Sequence, residues 1–342
     1  MPHLTAMDNS RRSFLKSITG AAATLPLLAS KAVAAESGSV PKRKFGRHDD
    51  MLSVIGFGGH TLKFAESQEV ANQICDRAID RGINFFENAW TYHGGTSEEI
   101  MGKALKGKRD KVFLMTKFST YNDRAYPDNK AGALKMLEDS LRRLQTDHLD
   151  LWMLHNVKGD AAKQAYESDS AIEALETARQ QGKIRYVGFT GHTTPQIHID
   201  LIEGGYEWDA TLMPVSILGA LSSRPFEKEV MPLCEKNNIA VLGMKGFGGS
   251  RRAHMHGLTT VDDVVRYALS YPQVCTHAIG VDKVEYVDPA AIAATKTPMT
   301  ENERSKHMAE VARRGGAQFA MYLDPEYDEC YSRGSFHPSQ IA

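Results

Sequence analysis

The feature that most constrains the fold of this chain is a rhythm. Short apolar runs alternate with amphipathic helical stretches, eight times over. The runs are SVIGFGG (53–59), INFFENA (83–89), VFLMTKF (112–118), LDLWMLHNV (149–157), YVGFTG (186–191), ATLMPVS (210–216), IAVLGMKG (239–246) and THAIGV (276–281). Each is nearly continuous in apolar residues and bounded by Gly, Asp, Asn or Lys, the pattern of parallel strands covered on both faces. Between them the period becomes helical, as in Gln68 to Arg81 and Ala133 to Leu144. In the second, Leu134, Met136, Leu137, Leu141 and Leu144 share one face, while Arg142 and Arg143 turn outward. Asp80-Arg81-Gly82 and Gln181-Gly182 end two helices where a left-handed cap suits. Eight strand–helix units predict a single-domain α/β fold, the (β/α)8 TIM barrel. The competitor, a doubly wound open sheet, needs GxGxxG directly after its first strand. Gly56-Phe57-Gly58-Gly59 does not complete that pattern.

The barrel is expected over 45–316, with Glu301 to Arg314 as a further helix. Residues 317–342, rich in Tyr, Asp, Ser and Pro, read as a C-terminal extension able to fold back over the barrel mouth. At the other end, Ser10-Arg11-Arg12-Ser13-Phe14-Leu15-Lys16 precedes a mild apolar run, Ala21 to Ala29, and then Ala32-Val33-Ala34. A charged start, a short apolar middle and small residues at the cut are the layout of a cleavable export peptide. The paired arginines resemble the twin-arginine signal, which implies the Tat export machinery as a partner and a periplasmic destination for a protein exported already folded. Residues 1–34 are therefore expected to be the signal peptide and 35–44 a polar linker. The apolar run is far shorter than the roughly 20 residues of a bilayer-spanning helix, so no stable membrane span is expected.

A formal net charge of -1 gives no electrostatic reason to expect nucleic acid as a partner. The four cysteines, Cys75, Cys234, Cys275 and Cys330, are far apart and form no CxxC, so no metal site is signalled. They read as structural thiols, with a disulfide left open if the compartment is oxidising.

In such a barrel the strand C-terminal ends point into one shared mouth. The second strand delivers Glu87 and, just beyond, Tyr92. The third ends in Lys117 and the fourth in His155. A free phenol titrates near ~10, and a nearby ammonium favours its ionised form, which suits it to acid–base work near neutrality. The ammonium in turn needs a carboxylate partner if it is buried, and an imidazole can orient a substrate oxygen. Tyrosine as proton donor, lysine as its tuner, a carboxylate on the lysine and a histidine as orienter form the machinery for reducing a carbonyl by hydride transfer.

Here the sequence resembles the aldo-keto reductase family, over nearly all of 41–316. NFFENAWTYHGGTSEEIMGKAL is similar to the family's strand-two signature, LMTKF to its lysine strand, LDLWMLHNV to its histidine strand and GKIRYVGFTG to the stretch ending in Ser-Asn. The resemblance implies a barrel, a nicotinamide cofactor, and Tyr92, Lys117, His155 and Glu87 as the catalytic set. It also implies Thr190, His192, Lys245, Gly280 and Lys283 as cofactor-binding residues. Several positions depart from the family pattern. Glu87 stands for an aspartate, and Thr190-Gly191-His192 stands where Ser-Asn holds the carboxamide. Leu212 or Met213 replaces a glutamine, and Met244 and Lys245 replace a stacking tyrosine. Lys283 favours NADP, and Asp282 beside it leaves NAD possible. Trp90, Trp152, Tyr322 and Tyr327 are candidates either for the substrate mouth or for ordinary packing.

The expected function is NAD(P)-dependent reduction of an aldehyde or ketone, or oxidation of the corresponding alcohol or sugar. The alternative is a nicotinamide-nucleotide-binding sensor or partner-binding barrel.

Overall fold

The structure, a computed structural model, describes residues 39–120, 129–249 and 252–323. The expected signal peptide, Tyr327, Cys330 and the extension beyond 323 lie outside the described residues. The described chain opens with an antiparallel pair, β1 (Lys42–Lys44) and β2 (Met51–Ser53). Eight parallel strands follow: β3 (Ile55–Gly58), β4 (Phe85–Glu87), β5 (Phe113–Ser119), β6 (Leu149–His155), β7 (Ile184–Thr190), β8 (Ala210–Pro214), β9 (Ala240–Met244) and β10 (Val274–Gly280). They pair in chain order and close where β10 meets β3. The expected (β/α)8 barrel is what the chain builds.

Two boundaries differ from the sequence reading, for one reason: the barrel needs a floor. Residues 42–44, expected to be linker, form β1, and the Arg43 guanidinium is buried among the carbonyls of Leu269, Tyr271 and Val274 at 2.9, 3.1 and 2.7 Å. The run expected as one strand over 53–59 is divided. Ser53 ends β2, its hydroxyl donates to Ile55 O at 2.7 Å, and the barrel strand begins at Ile55. The hairpin brings Phe45 and Leu52 against Phe113, Met115, Leu151 and Leu242, a core cluster inside the barrel. With that end plugged, the mouth lies at the opposite, C-terminal end of the strands.

Helices cover the outside and end where the sequence says. Gln68–Asp80 starts with Ser67 accepting from Val70 N–H and stops at Gly82, whose φ of +81° only glycine adopts freely. Lys130–Leu144 starts at Asn129 and buries Met136, Leu137, Leu141 and Leu144. Glu301–Arg313 starts with a reciprocal box between Thr300 and Glu303.

The described start of the extension lies over the loops after β8 and β9. Met321 N–H donates to Gly248 O at 3.0 Å, and the buried Tyr322 hydroxyl is 3.0 Å from Ser216 Oγ. Tyr322 and Trp152 are therefore packing residues, Trp152 lying 4.3 Å from the Phe118 ring. Trp90 donates to Asp139 Oδ2 at 3.3 Å under the Arg143 guanidinium. Cys75, Cys234 and Cys275 are free and buried, and burial pushes each thiol up to about 12.

Candidate active site

The site is assembled at strand ends. Beyond Glu87 the ladder to β5 continues: Asn88 N–H donates to Met115 O at 3.0 Å and Trp90 N–H to Lys117 O at 2.9 Å. That continuation delivers Tyr92 to a tight turn, Tyr92–Gly95, whose last three residues all have positive φ. Gly95 is required there on two counts. Its φ is +93°, and a Cβ would lie 2.2 Å from the Arg143 guanidinium carbon.

The turn brings Tyr92 over Lys117 of β5. The lysine is 1% exposed, and its three ammonium protons meet three acceptors: Glu87 Oε1, Asn88 O at 2.8 Å and Tyr92 Oη at 3.0 Å. Full pairing of this kind is what makes a buried ammonium tolerable. Glu87 Oε1 also accepts from the Tyr92 hydroxyl at 2.9 Å, and Oε2 accepts from Gly59 N–H at 3.2 Å. His155, at the end of β6, stands edge-on to the Tyr92 ring at 5.9 Å, its Nδ1 3.5 Å from Thr91 Oγ1. The four residues expected to be catalytic thus form one buried cluster.

A second polar layer braces the turn. Glu98, in the helix Thr96–Ala104, accepts from the Thr116 hydroxyl at 2.6 Å and from Arg143 at 3.2 Å, while Arg143 also donates to Trp90 O at 3.2 Å. Burial raises the Glu98 carboxyl above its ordinary value, and Thr116, Ser140 and Arg143 oppose that shift. The Ser-Glu pair at the helix start is therefore structural support for the tyrosine.

Beside Tyr92 and Glu87 opens a cleft of about 340 Å³ that runs past Leu212 and Met244 to Lys245, then to Gly280, Val281 and Tyr286. Its wall suits an extended dinucleotide. Gly58 and Gly280 are register partners at its lip, and a Cβ on Gly280 would stand 2.7 Å from Thr61. Leu212 and Met244 offer apolar faces to a planar ring, and Lys245, at φ +60°, brings a cation into the wall. Of the expected cofactor residues, Lys245 and Gly280 line the cleft. Thr190, His192 and Lys283 are not among the residues that line it. The Thr190 hydroxyl donates to Leu212 O at 2.7 Å. His192 is buried with its ring 6.1 Å from that of His155, and Lys283 lies 5.9 Å over the exposed Tyr286 ring.

Three histidines in the wall, His60, His254 and His277, escaped the sequence reading. His60 follows the glycines of β3 and stands edge-on to Tyr92 at 5.0 Å. His277, inside β10, is fully buried, and neither ring nitrogen has a hydrogen-bond partner among the described residues. Its imidazole sits where side chains on Gly243 and Gly246 would be, with hypothetical Cβ atoms only 2.4 and 2.7 Å from its nitrogens. Burial pushes its pKa down to about 4. The available signal was a polar ring inside an otherwise apolar strand.

Comparison with known proteins agrees with the fold. The sequence model of the Aldo/keto reductase family matches residues 54–253. An uncharacterized oxidoreductase of Bacillus subtilis, YqkF, is 28% identical over 77% of this chain and 94% of its own length. The aldo-keto reductase AKR11C1 of Bacillus halodurans, in its holo form, superposes with a TM-score of 0.66 at 28% identity, covering 79% of this chain and 95% of that one. An aldo/keto reductase of Klebsiella pneumoniae, solved in complex with NADP and acetate, gives 0.60 at 25% identity over 85% and 97%. The family match covers more than half of the chain and the solved neighbours share its fold, and this chain belongs to the aldo-keto reductase family of NAD(P)H-dependent oxidoreductases.

Proposed function

We propose that the protein interconverts an aldehyde or ketone and its alcohol, with Tyr92 handling the proton, outside the cytoplasm. The observation that carries this reading is the contact of the Tyr92 hydroxyl with the Lys117 ammonium at 3.0 Å, beside the cleft. A bound nicotinamide supplies or accepts the hydride. The chain's own part is to hold the substrate oxygen against Tyr92 Oη and to stabilise the charge that develops there. Lys117 sits where it stabilises a tyrosine that has given up its proton. His155 and His60 flank the ring edge-on, where an imidazole can orient the substrate oxygen. Leu212 and Met244 are the residues proposed against the nicotinamide, with Lys245 and the Gly58–Gly280 lip along the phosphates.

NADP is the proposed cofactor. Lys283 stands near the far end of the cleft, and the Klebsiella pneumoniae neighbour is in complex with NADP. Export by the twin-arginine route rests on the residues of 1–34 and fits a protein that leaves the cytoplasm folded with its nucleotide held. Tyr92→Phe tests the chemistry. Turnover disappears in both directions while cofactor affinity stays within about threefold, since the aromatic ring remains; a fully active variant ends the proposal. Nucleotide-free protein from the periplasm counts against the cofactor being carried out with the folded protein.

A further inference from the structure

One wall of the cleft is tied to a segment from the far end of the chain. Lys245, Gly246, Phe247 and Gly249, in the loop after β9, and His254, in the helix Arg252–Met255, supply that wall. Both stretches are held by residues that follow the helix Glu301–Arg313. Arg314 donates to His256 O at 2.8 Å and to Gly257 O at 2.9 Å, and the Phe319 ring lies 5.3 Å from that of His256. Met321 N–H donates to Gly248 O at 3.0 Å. The fit at Gly248 is close, for its φ is +76° and a Cβ there would stand 2.1 Å from Phe319 O.

Tyr322 is the centre of this contact. It is fully buried, and its Oη is 3.0 Å from Ser216 Oγ, which also accepts from Gly219 N–H at 3.0 Å. A Cβ on Gly219 would stand 1.9 Å from Tyr322 Oη, so the loop after β8 is shaped to the phenol. That loop is in turn fixed on both sides. Ser216 N–H donates to the buried Glu227 Oε1 at 3.1 Å, which also accepts from the Tyr267 hydroxyl at 3.1 Å. Val215 N–H donates to Met244 O at 3.0 Å, directly before Lys245. Burial pushes the Tyr322 phenol above its ordinary value and keeps it protonated, and the Lys245 ammonium is near enough to oppose the shift.

From this contact we infer that residues 314–322 form a clasp on the wall of the nucleotide cleft, with Tyr322 as the positioning residue that sets how slowly the nucleotide leaves. The inference rests on the cofactor reading above and adds control of release. Tyr322 is not among the residues that line the cleft. It acts through the loops after β8 and β9. A dinucleotide lying along Lys245–Gly249 escapes when that stretch swings away from β10. The swing breaks the bond from Met321 to Gly248 and draws Tyr322 away from Ser216. Opening of the clasp and release of the nucleotide are therefore one event, and a weaker clasp speeds release by the factor that its opening gains. Loss of one buried hydrogen bond changes such an equilibrium about fivefold.

Two variants test the clasp. Tyr322→Phe keeps the ring and removes the hydroxyl, and Gly219→Ala pushes the hydroxyl off Ser216 by direct contact. The first readout is hydrogen exchange of the nucleotide-free protein, followed by mass spectrometry. Peptides containing Gly248, whose N–H donates to Lys245 O at 2.7 Å, exchange about fivefold faster in both variants, while peptides from β6 keep the native rate. The second is release of NADPH, followed by stopped-flow fluorescence during a chase with excess NADP. Release quickens by the same factor of about five, and the hydride step in a single turnover stays within about twofold of native. A merely structural role speeds exchange in β6 as much as at Gly248. Native exchange at Gly248 in both variants overturns the clasp, and faster exchange with unchanged NADPH release overturns its role in release. A native chain that binds no nucleotide overturns the cofactor reading and the release role with it, and the exchange result distinguishes that failure from failure of the clasp.

Discussion

His277 makes a sharp prediction about acid stability. Its pKa is pushed down from 6.5 to about 4 by burial in the folded protein. The folded chain therefore holds it neutral, whereas the unfolded chain binds a proton below its ordinary value. Stability is present above pH 6.5 and is lost as pH falls through 6.5 toward 4. Between about pH 7 and about pH 5 one such histidine costs about 2 kcal/mol. His198, tied to Thr211 Oγ1 and Gly191 O and also pushed down to about 4 by burial, loses a similar amount. Glu227 opposes both. Burial raises its carboxyl to about 7, so it adds stability below that value, again about 2 kcal/mol over the same interval. The sum over these three groups is a native protein weaker by about 2 kcal/mol at pH 5. His277→Leu removes one loss and leaves the other two groups nearly cancelling. Urea unfolding of both cofactor-free proteins at the two pH values, at fixed ionic strength, measures the difference. The gap between them opens by about 2 kcal/mol on acidification. If both proteins lose the same stability within about 0.5 kcal/mol, His277 is not a buried neutral imidazole and the reasoning fails.

Other consequences are as direct. Lys117→Met leaves the Glu87 carboxylate buried without its cation. Turnover is lost and unfolding free energy falls by about 3 to 5 kcal/mol, read by the same urea titration. Gly59→Ala puts a Cβ 2.6 Å from Glu87 O and 2.8 Å from Asn88 Nδ2. The overpacking costs about 1 to 3 kcal/mol and displaces the residue that anchors the site, so Tm and kcat fall together. The thiols of Cys75, Cys234 and Cys275 resist a disulfide reagent in the native protein and react on unfolding, because burial both shields them and disfavours the thiolate. Fast labelling of any of the three, located by peptide mapping, contradicts the packing described here.

Much of the site was legible because the barrel rule is so restrictive. Once eight apolar runs are counted, strand ends such as Glu87, Lys117 and His155 must share a mouth, and side-chain chemistry does the rest. The floor was not legible. β1 and β2 have three residues each, too few for any periodicity to register. Nor was the face that His277 occupies, because the β9–β10 register shifts between Val274 and Thr276 and breaks the alternation along β10. Thr190 was assigned from the resemblance to the Ser-Asn stretch, and sequence does not reveal that its hydroxyl donates to Leu212 O. The direct bond from Tyr92 to Glu87 depends on rotamers around a turn of three positive-φ residues, which no local pattern encodes.

The most direct test of the central claim is one titration followed by one assay. Residues 35–342 are titrated with NADPH and NADH while intrinsic fluorescence is followed, and the same sample is then offered simple alcohols with oxidised cofactor and aldehydes or ketones with reduced cofactor. The account predicts nucleotide binding, tighter for NADPH, and turnover that vanishes in Tyr92→Phe. Absence of binding, or binding with no turnover in either direction, contradicts it.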